Sequence, residues 1–146
     1  MHASIKLSLR RCLVGALLSA MALNAQAKAL PGAPAPFDKG NVQIALVGFL
    51  FSGDFPEAYL RGVEKQSEAL GATLRVFDAR QQAASQRDMI DQAIDLGVDG
   101  IIVQLGLAET LKGPIDRALA KGIKVVAFDV DLQSPQVTQV EQDHHA

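Results

Sequence analysis

Three glycines constrain this chain more than any other feature. Gly71, Gly97 and Gly122 recur at intervals of about 25 residues, each closing an amphipathic stretch and each preceding a run rich in apolar residues. Glycine stops a helix cheaply, because it enters the left-handed conformation of a helix terminus without a steric penalty. Residues 100–103, Gly-Ile-Ile-Val, are continuous in apolar character, as a strand buried on both faces should be. Repetition of helix, glycine and strand predicts consecutive βα units rather than a solenoid. Right-handed crossovers then require a parallel sheet covered on both faces. The expected fold is α/β, a doubly wound parallel sheet of order 2-1-3-4-5 in a three-layer α/β/α arrangement. Its switch point, where such folds bind ligands, falls between the first and third strands.

The spacing places strands at residues 42–47, 73–77, 100–103 and 123–128, with a short fifth candidate at 137–140. The first helix starts at Asp54-Phe55-Pro56-Glu57, read as Asp54 at the N-cap, Pro56 in the first turn and Glu57 closing a capping box. It runs through Tyr59, Val63 and Leu70. The second follows a polar stretch, 79–86, and keeps Met89, Ile90, Ala93, Ile94 and Leu96 at helical spacing. The third covers 108–121, with Leu111, Ile115 and Leu119 on one face.

With 146 residues, 49% of them hydrophobic, the chain can build one core. Its start is set aside from the fold. Lys6, Arg10 and Arg11 precede an apolar run, 12–23, that is too short to span a bilayer, and Ala25-Gln26-Ala27 is a small-x-small cleavage site. Residues 1–27 therefore read as a secretory signal peptide cleaved near Ala27, with no stable membrane insertion afterwards. Residues 28–40, carrying Pro31, Pro34 and Pro36, read as an extended leader. Cleavage removes the only cysteine, Cys12, and three basic residues, leaving a charge of about −5. Nothing in that balance suggests a nucleic-acid surface. No helix follows the last strand candidate, so the segment 41–146 reads as a truncated chain or half of a larger architecture.

The loop after the first strand spends three of the six phenylalanines, Phe49, Phe51 and Phe55, within seven residues. An exposed loop has no packing reason for that, so the cluster needs a lid or a ligand. Phe49 and Phe51 alternate, which sends one toward the core and the other toward a cleft. Phe55 either staples the helix or lines the cleft. The topology gathers this loop with Gln104 and Leu105, with Asp129 to Asp131, and with the end of the chain. Asp129, at a strand tip, is the leading ligand residue; Asp131 reads as a turn residue. The set is aromatic, amide and carboxylate. It has no nucleophile elbow around Ser52, no Gly-x-Gly-x-x-Gly and no Gly-Lys-Ser/Thr. His144 and His145 have no partners at metal-ligand spacing. No enzyme, cofactor or metal is expected. Aromatic faces with hydroxyl-bonding carboxylates and amides instead suit a neutral polyhydroxylated ligand.

Ile44-Ala45-Leu46-Val47, Gly62-Val63-Glu64-Lys65, Ala69-Leu70-Gly71, the run from Gly97 to Val103 and the run from Gly122 to Asp129 together resemble the type I periplasmic sugar-binding proteins, the ribose- and galactose-binding group that shares its fold with LacI-type effector domains. The resemblance covers about residues 41–143 and implies the N-terminal lobe of a monomeric receptor, with the periplasm as the destination of the exported chain. Such a receptor closes two lobes on a sugar or polyol and delivers it to an ABC transporter permease. It also implies ligand contacts from the loop after the first strand and from the tip of the fourth, which here are Phe49, Phe51, Gly53, Phe55, Gln104, Asp129 and Val130. Pro56, Gly53 and Val130 depart from the ribose-binding pattern. Val130 stands where that pattern has arginine, which removes a fork of donors and points to a ligand other than ribose. Two other readings remain at this level: an exported flavodoxin-like α/β enzyme, and a periplasmic sensor partner.

Overall fold

The computed structural model describes residues 31–142; the signal-peptide reading and the two C-terminal histidines lie outside them. After a 3-10 turn at Phe37–Lys39 come β1 (Gln43–Gly48), α1 (Asp54–Ala69), β2 (Thr73–Asp78), α2 (Ala83–Asp95), β3 (Gly100–Gln104), α3 (Ala108–Ala120), β4 (Lys124–Phe128) and β5 (Thr138–Val140). The sheet is parallel throughout, in order β2-β1-β3-β4-β5. Gly71, Gly97 and Gly122 have φ of 63°, 68° and 80°, and each follows a helix end, as the spacing requires.

The helix starts differ from expectation. The cap of α1 is Gly53, at φ 102°, with no side-chain cap bond; Asp54 is already the first helical residue. Gly53 takes the place because its backbone conformation is closed to other residues at low cost, and its carbonyl accepts the Glu57 N–H at 3.0 Å. The capping box is not formed. Helix α2 begins inside the polar stretch, at Ala83, because Gln86 belongs to it as a buried anchor.

The two faces of the sheet are covered unequally. On one, Ala45, Val47, Ile101, Val103, Val125 and Ala127 pack against α2 and α3 through Ile90, Ala93, Leu111, Ile115 and Ala118, all buried. An Arg117–Asp91 ion pair, bidentate at 2.7 Å, ties the two helices at the surface. On the other face α1 lies alone. Its inward positions Tyr59, Leu60, Val63 and Leu70 are only half-buried, and Ser67 is its one buried residue. Beside it opens an apolar groove of about 450 Å³ lined in part by Phe37, Val42, Ile44, Val63, Ile102 and Val126. Among the described residues no helix is long and apolar enough to cross a membrane.

Candidate functional site

Strand register decides what meets at the carboxyl edge. Gly48, Gln104 and Phe128 are lateral neighbours, the last residues of β1, β3 and β4. They share the α1 face with Ile102 and Val126, two positions earlier on their strands. Beyond them the chain turns sharply. Leu105 and Asp129 have φ of 55° and 52°, and their N–H groups donate to Phe128 O at 2.9 Å and Val140 O at 3.0 Å. Each strand tip is thereby fastened to its neighbour.

Phe55 and Tyr59, one turn apart on α1, both stack on Phe128. The ring centroids are 6.3 Å and 4.3 Å from that of Phe128, each pair inclined by 21°. Phe128 immediately precedes Asp129, so the aromatic stack and the carboxylate share one rim. Phe55 is 49% exposed, while Tyr59 and Phe128 are half-buried. The Asp129 carboxylate is held by Gln142, whose backbone N–H donates to Oδ1 at 3.0 Å and whose Nε2 donates to Oδ2 at 2.7 Å. Burial first, and the Asp129 charge second, push the Tyr59 phenol up to about 12. At neutral pH its hydroxyl is therefore a donor. Next to this rim an open cleft of about 480 Å³ is lined by Leu105, Asp129, Val130, Asp131, Glu141 and Gln142.

The expected site residues divide into three groups. Phe55 and Asp129 stand on the rim together. Phe49 is half-buried and works through its backbone: its N–H donates to Gln104 O at 2.8 Å and its carbonyl accepts from Gln81 N–H at 2.7 Å. Gly53 is exposed and caps the helix. Phe51, Gln104 and Val130 are buried, at 7%, 0% and 7% exposure. Phe51 lays its ring over the Cα of Gly48, in space that any Cβ would fill. Val130 joins the core with Leu132 and Val137 while edging the cleft. The Gln104 amide has neither its nitrogen nor its oxygen hydrogen-bonded among the described residues. Asp131 is a turn residue, accepting the Gln133 N–H at 2.8 Å.

Tyr59 and Phe128 are rim residues that the sequence reading did not single out as such; Gln142 belongs to the chain end that the topology was expected to bring there. Tyr59 carried a signal, lying four residues after Phe55 and so on the same helical face. Phe128 is visible only once the register is known. Gln86 was also missed: its Nε2 donates to Gln104 O at 3.3 Å and to Leu105 O at 3.0 Å, pinning the tip of β3 from α2.

Comparison with known proteins places this geometry in context. The periplasmic binding protein domain profile matches residues 44–146. The ribose import binding protein of Bacillus subtilis (strain 168) is 24% identical over 113 residues, covering 75% of this chain and 37% of that protein. The solved 5-methylthioribose transporter solute binding protein of Thermotoga lettingae TMO, in complex with 5-methylthioribose, is 39% identical with a TM-score of 0.69, covering 70% of this chain and 33% of that one. A sugar ABC transporter protein from Yersinia enterocolitica subsp. enterocolitica 8081 is 33% identical with a TM-score of 0.67, covering 71% and 32%. The chain thus spans about a third of the length of these relatives. On the matched span and the shared fold, the chain belongs to the periplasmic binding protein domain family.

Proposed function

We propose that this chain acts as the first lobe of a periplasmic solute-binding receptor. It would hold a sugar or related polyhydroxylated solute at its carboxyl edge, for delivery to an ABC transporter permease. The observation that carries this reading is the Phe55–Phe128–Tyr59 stack lying directly beside Asp129. Aromatic faces take the C–H face of a sugar ring, and a carboxylate accepts from its hydroxyls in the stronger, charge-assisted bond. Ligand contact is assigned to Phe55 and Asp129. Phe51 and Gln104 support the rim from beneath, Phe49 and Gly53 shape its loop, and Val130 forms an apolar edge. Export and signal cleavage near Ala27 bring the chain to the periplasm.

The rim favours a particular sugar class. Leu105 and Val130 give the cleft an apolar edge beside its carboxylates, and among the described residues no lysine or arginine lines it. A pentose carrying an apolar substituent fits such a surface better than a fully hydroxylated one. The likeness to a 5-methylthioribose-binding protein points the same way. One lobe offers only part of a closed site, so affinity should be modest, about millimolar or −4 kcal/mol. Saturation-transfer NMR on the purified chain tests this with 5-methylthioribose, ribose, myo-inositol and an uncharged amino-acid amide. Transfer to the sugars, strongest for 5-methylthioribose, is expected. Equal transfer to the amide, or none to any sugar, contradicts the reading.

A further inference from the structure

Tyr59 is the only tyrosine of the chain, which also has no tryptophan. Its ring is fixed face to face with Phe128 at 4.3 Å, and Phe128 is the covalent neighbour of Asp129. A phenylalanine would make that stack equally well. The hydroxyl is what the packing does not explain, because among the described residues it makes no hydrogen bond. The hydroxyl is not one of the buried atoms that lack a partner among the described residues, so it stands open at the rim to a ligand. Asp129 presents the complementary chemistry at the same rim. Its carboxylate only accepts, and Gln142 leaves lone pairs free on both oxygens.

We propose that Tyr59 and Asp129 form a donor–acceptor pair for a vicinal diol. The Tyr59 hydroxyl donates to one ligand oxygen, and the neighbouring ligand hydroxyl donates to the Asp129 carboxylate. This rests on the carbohydrate reading above and sharpens it, since a monohydric or deoxygenated ligand satisfies only half of the pair. The raised phenol keeps its proton throughout the physiological range, so the donor role does not depend on pH there. Such a pair also orients the bound ring, because a donor and an acceptor side by side fix which of two adjacent oxygens faces which residue.

The test uses the single tyrosine as its own reporter. 5-Methylthioribose is titrated into the full chain while tyrosine emission is followed, with saturation transfer to the probe measured in parallel. The same titration is run on Tyr59→Phe by saturation transfer alone, after circular dichroism has shown the variant folded. The proposal expects emission to change in step with binding, and Tyr59→Phe to bind about tenfold more weakly. It also expects the 2-deoxy analogue of the probe to discriminate less between the two proteins. Undiminished binding by folded Tyr59→Phe overturns the Tyr59 assignment and leaves the carbohydrate reading standing. Absence of transfer from either protein overturns both.

Discussion

Single residues carry the clearest consequences. Tyr59 has an ordinary phenol pKa of 10.0 raised to about 12, so phenolate absorbance of the native chain should show a midpoint near 12. Burial is the larger cause, so Asp129→Asn should lower that midpoint only part of the way; a native midpoint at 10 would mean that the hydroxyl is fully hydrated. The sign for stability follows. The folded state holds the proton more tightly than the unfolded one, so the contribution is complete below pH 10 and is lost as pH rises from 10 through about 12. At Gly48 an added Cβ meets the Phe51 ring, and Gly48→Ala should destabilise the chain by about 1–3 kcal/mol in urea unfolding. Gln104→Met goes the other way. It removes a fully buried, unpaired amide, so stability should hold or rise by about 1 kcal/mol, and a loss beyond about 2 kcal/mol would reveal a partner for that amide. Not all of this was readable beforehand. That Phe49 and Phe51 would part company followed from alternation, but which ring went inward depended on Gly48 leaving room for it. Gln104, at the end of a central strand, is fully buried with its amide unpaired among the described residues, which its position in the sequence did not reveal.

At the scale of elements, glycine stops and apolar runs located every strand and α-helix of the described residues to within a few residues, but not the 3-10 turn at Phe37–Lys39, which lies in the stretch read as an extended leader. The five-strand order is the doubly wound order expected, which handed crossovers narrow but do not fix by themselves. What failed was the start of α1, where Asp54 and Glu57 have the composition of a capping box but Gly53 takes the cap through a conformation no sequence pattern displays. The start of α2 was blurred for a related reason: Gln86 looks like a loop residue and is in fact a strut. Its two bonds to the carbonyls of Gln104 and Leu105 should be separable from helix stability. Gln86→Leu leaves the Leu105 carbonyl without its donor, while the Gln104 carbonyl keeps the Phe49 N–H, and should cost about 1–3 kcal/mol. By contrast Arg117→Ala, which breaks an exposed ion pair, should cost no more than about 1 kcal/mol. Chemical denaturation of the two variants side by side checks the ranking, and equal losses would refute the strut.

Across the whole molecule, the unequal cover of the sheet is the dominant fact. Among the described residues the order 2-1-3-4-5 sends α2 and α3 to one face and leaves α1 alone on the other, and the link from β4 to β5 supplies no helix. A parallel sheet is stable when both faces are buried, so the half of the molecule beside the groove should be its less stable part. Hydrogen exchange should find α1 amides opening well before those of α2 and α3, whereas uniform protection would mean that the groove is closed in solution. The rim sits at the end of that same face, built from residues as distant in sequence as Phe55 and Phe128. Its composition was visible in the chain, but its assembly required the register. The central claim, that the carboxyl edge is where solute binds, is tested most directly by mapping backbone amide shifts as 5-methylthioribose is added to the labelled chain. The expected shifts cluster at residues 49–59, 105, 128–131 and 142. Shifts centred on Val63 and Ile102 in the apolar groove, or none at millimolar probe, would contradict it.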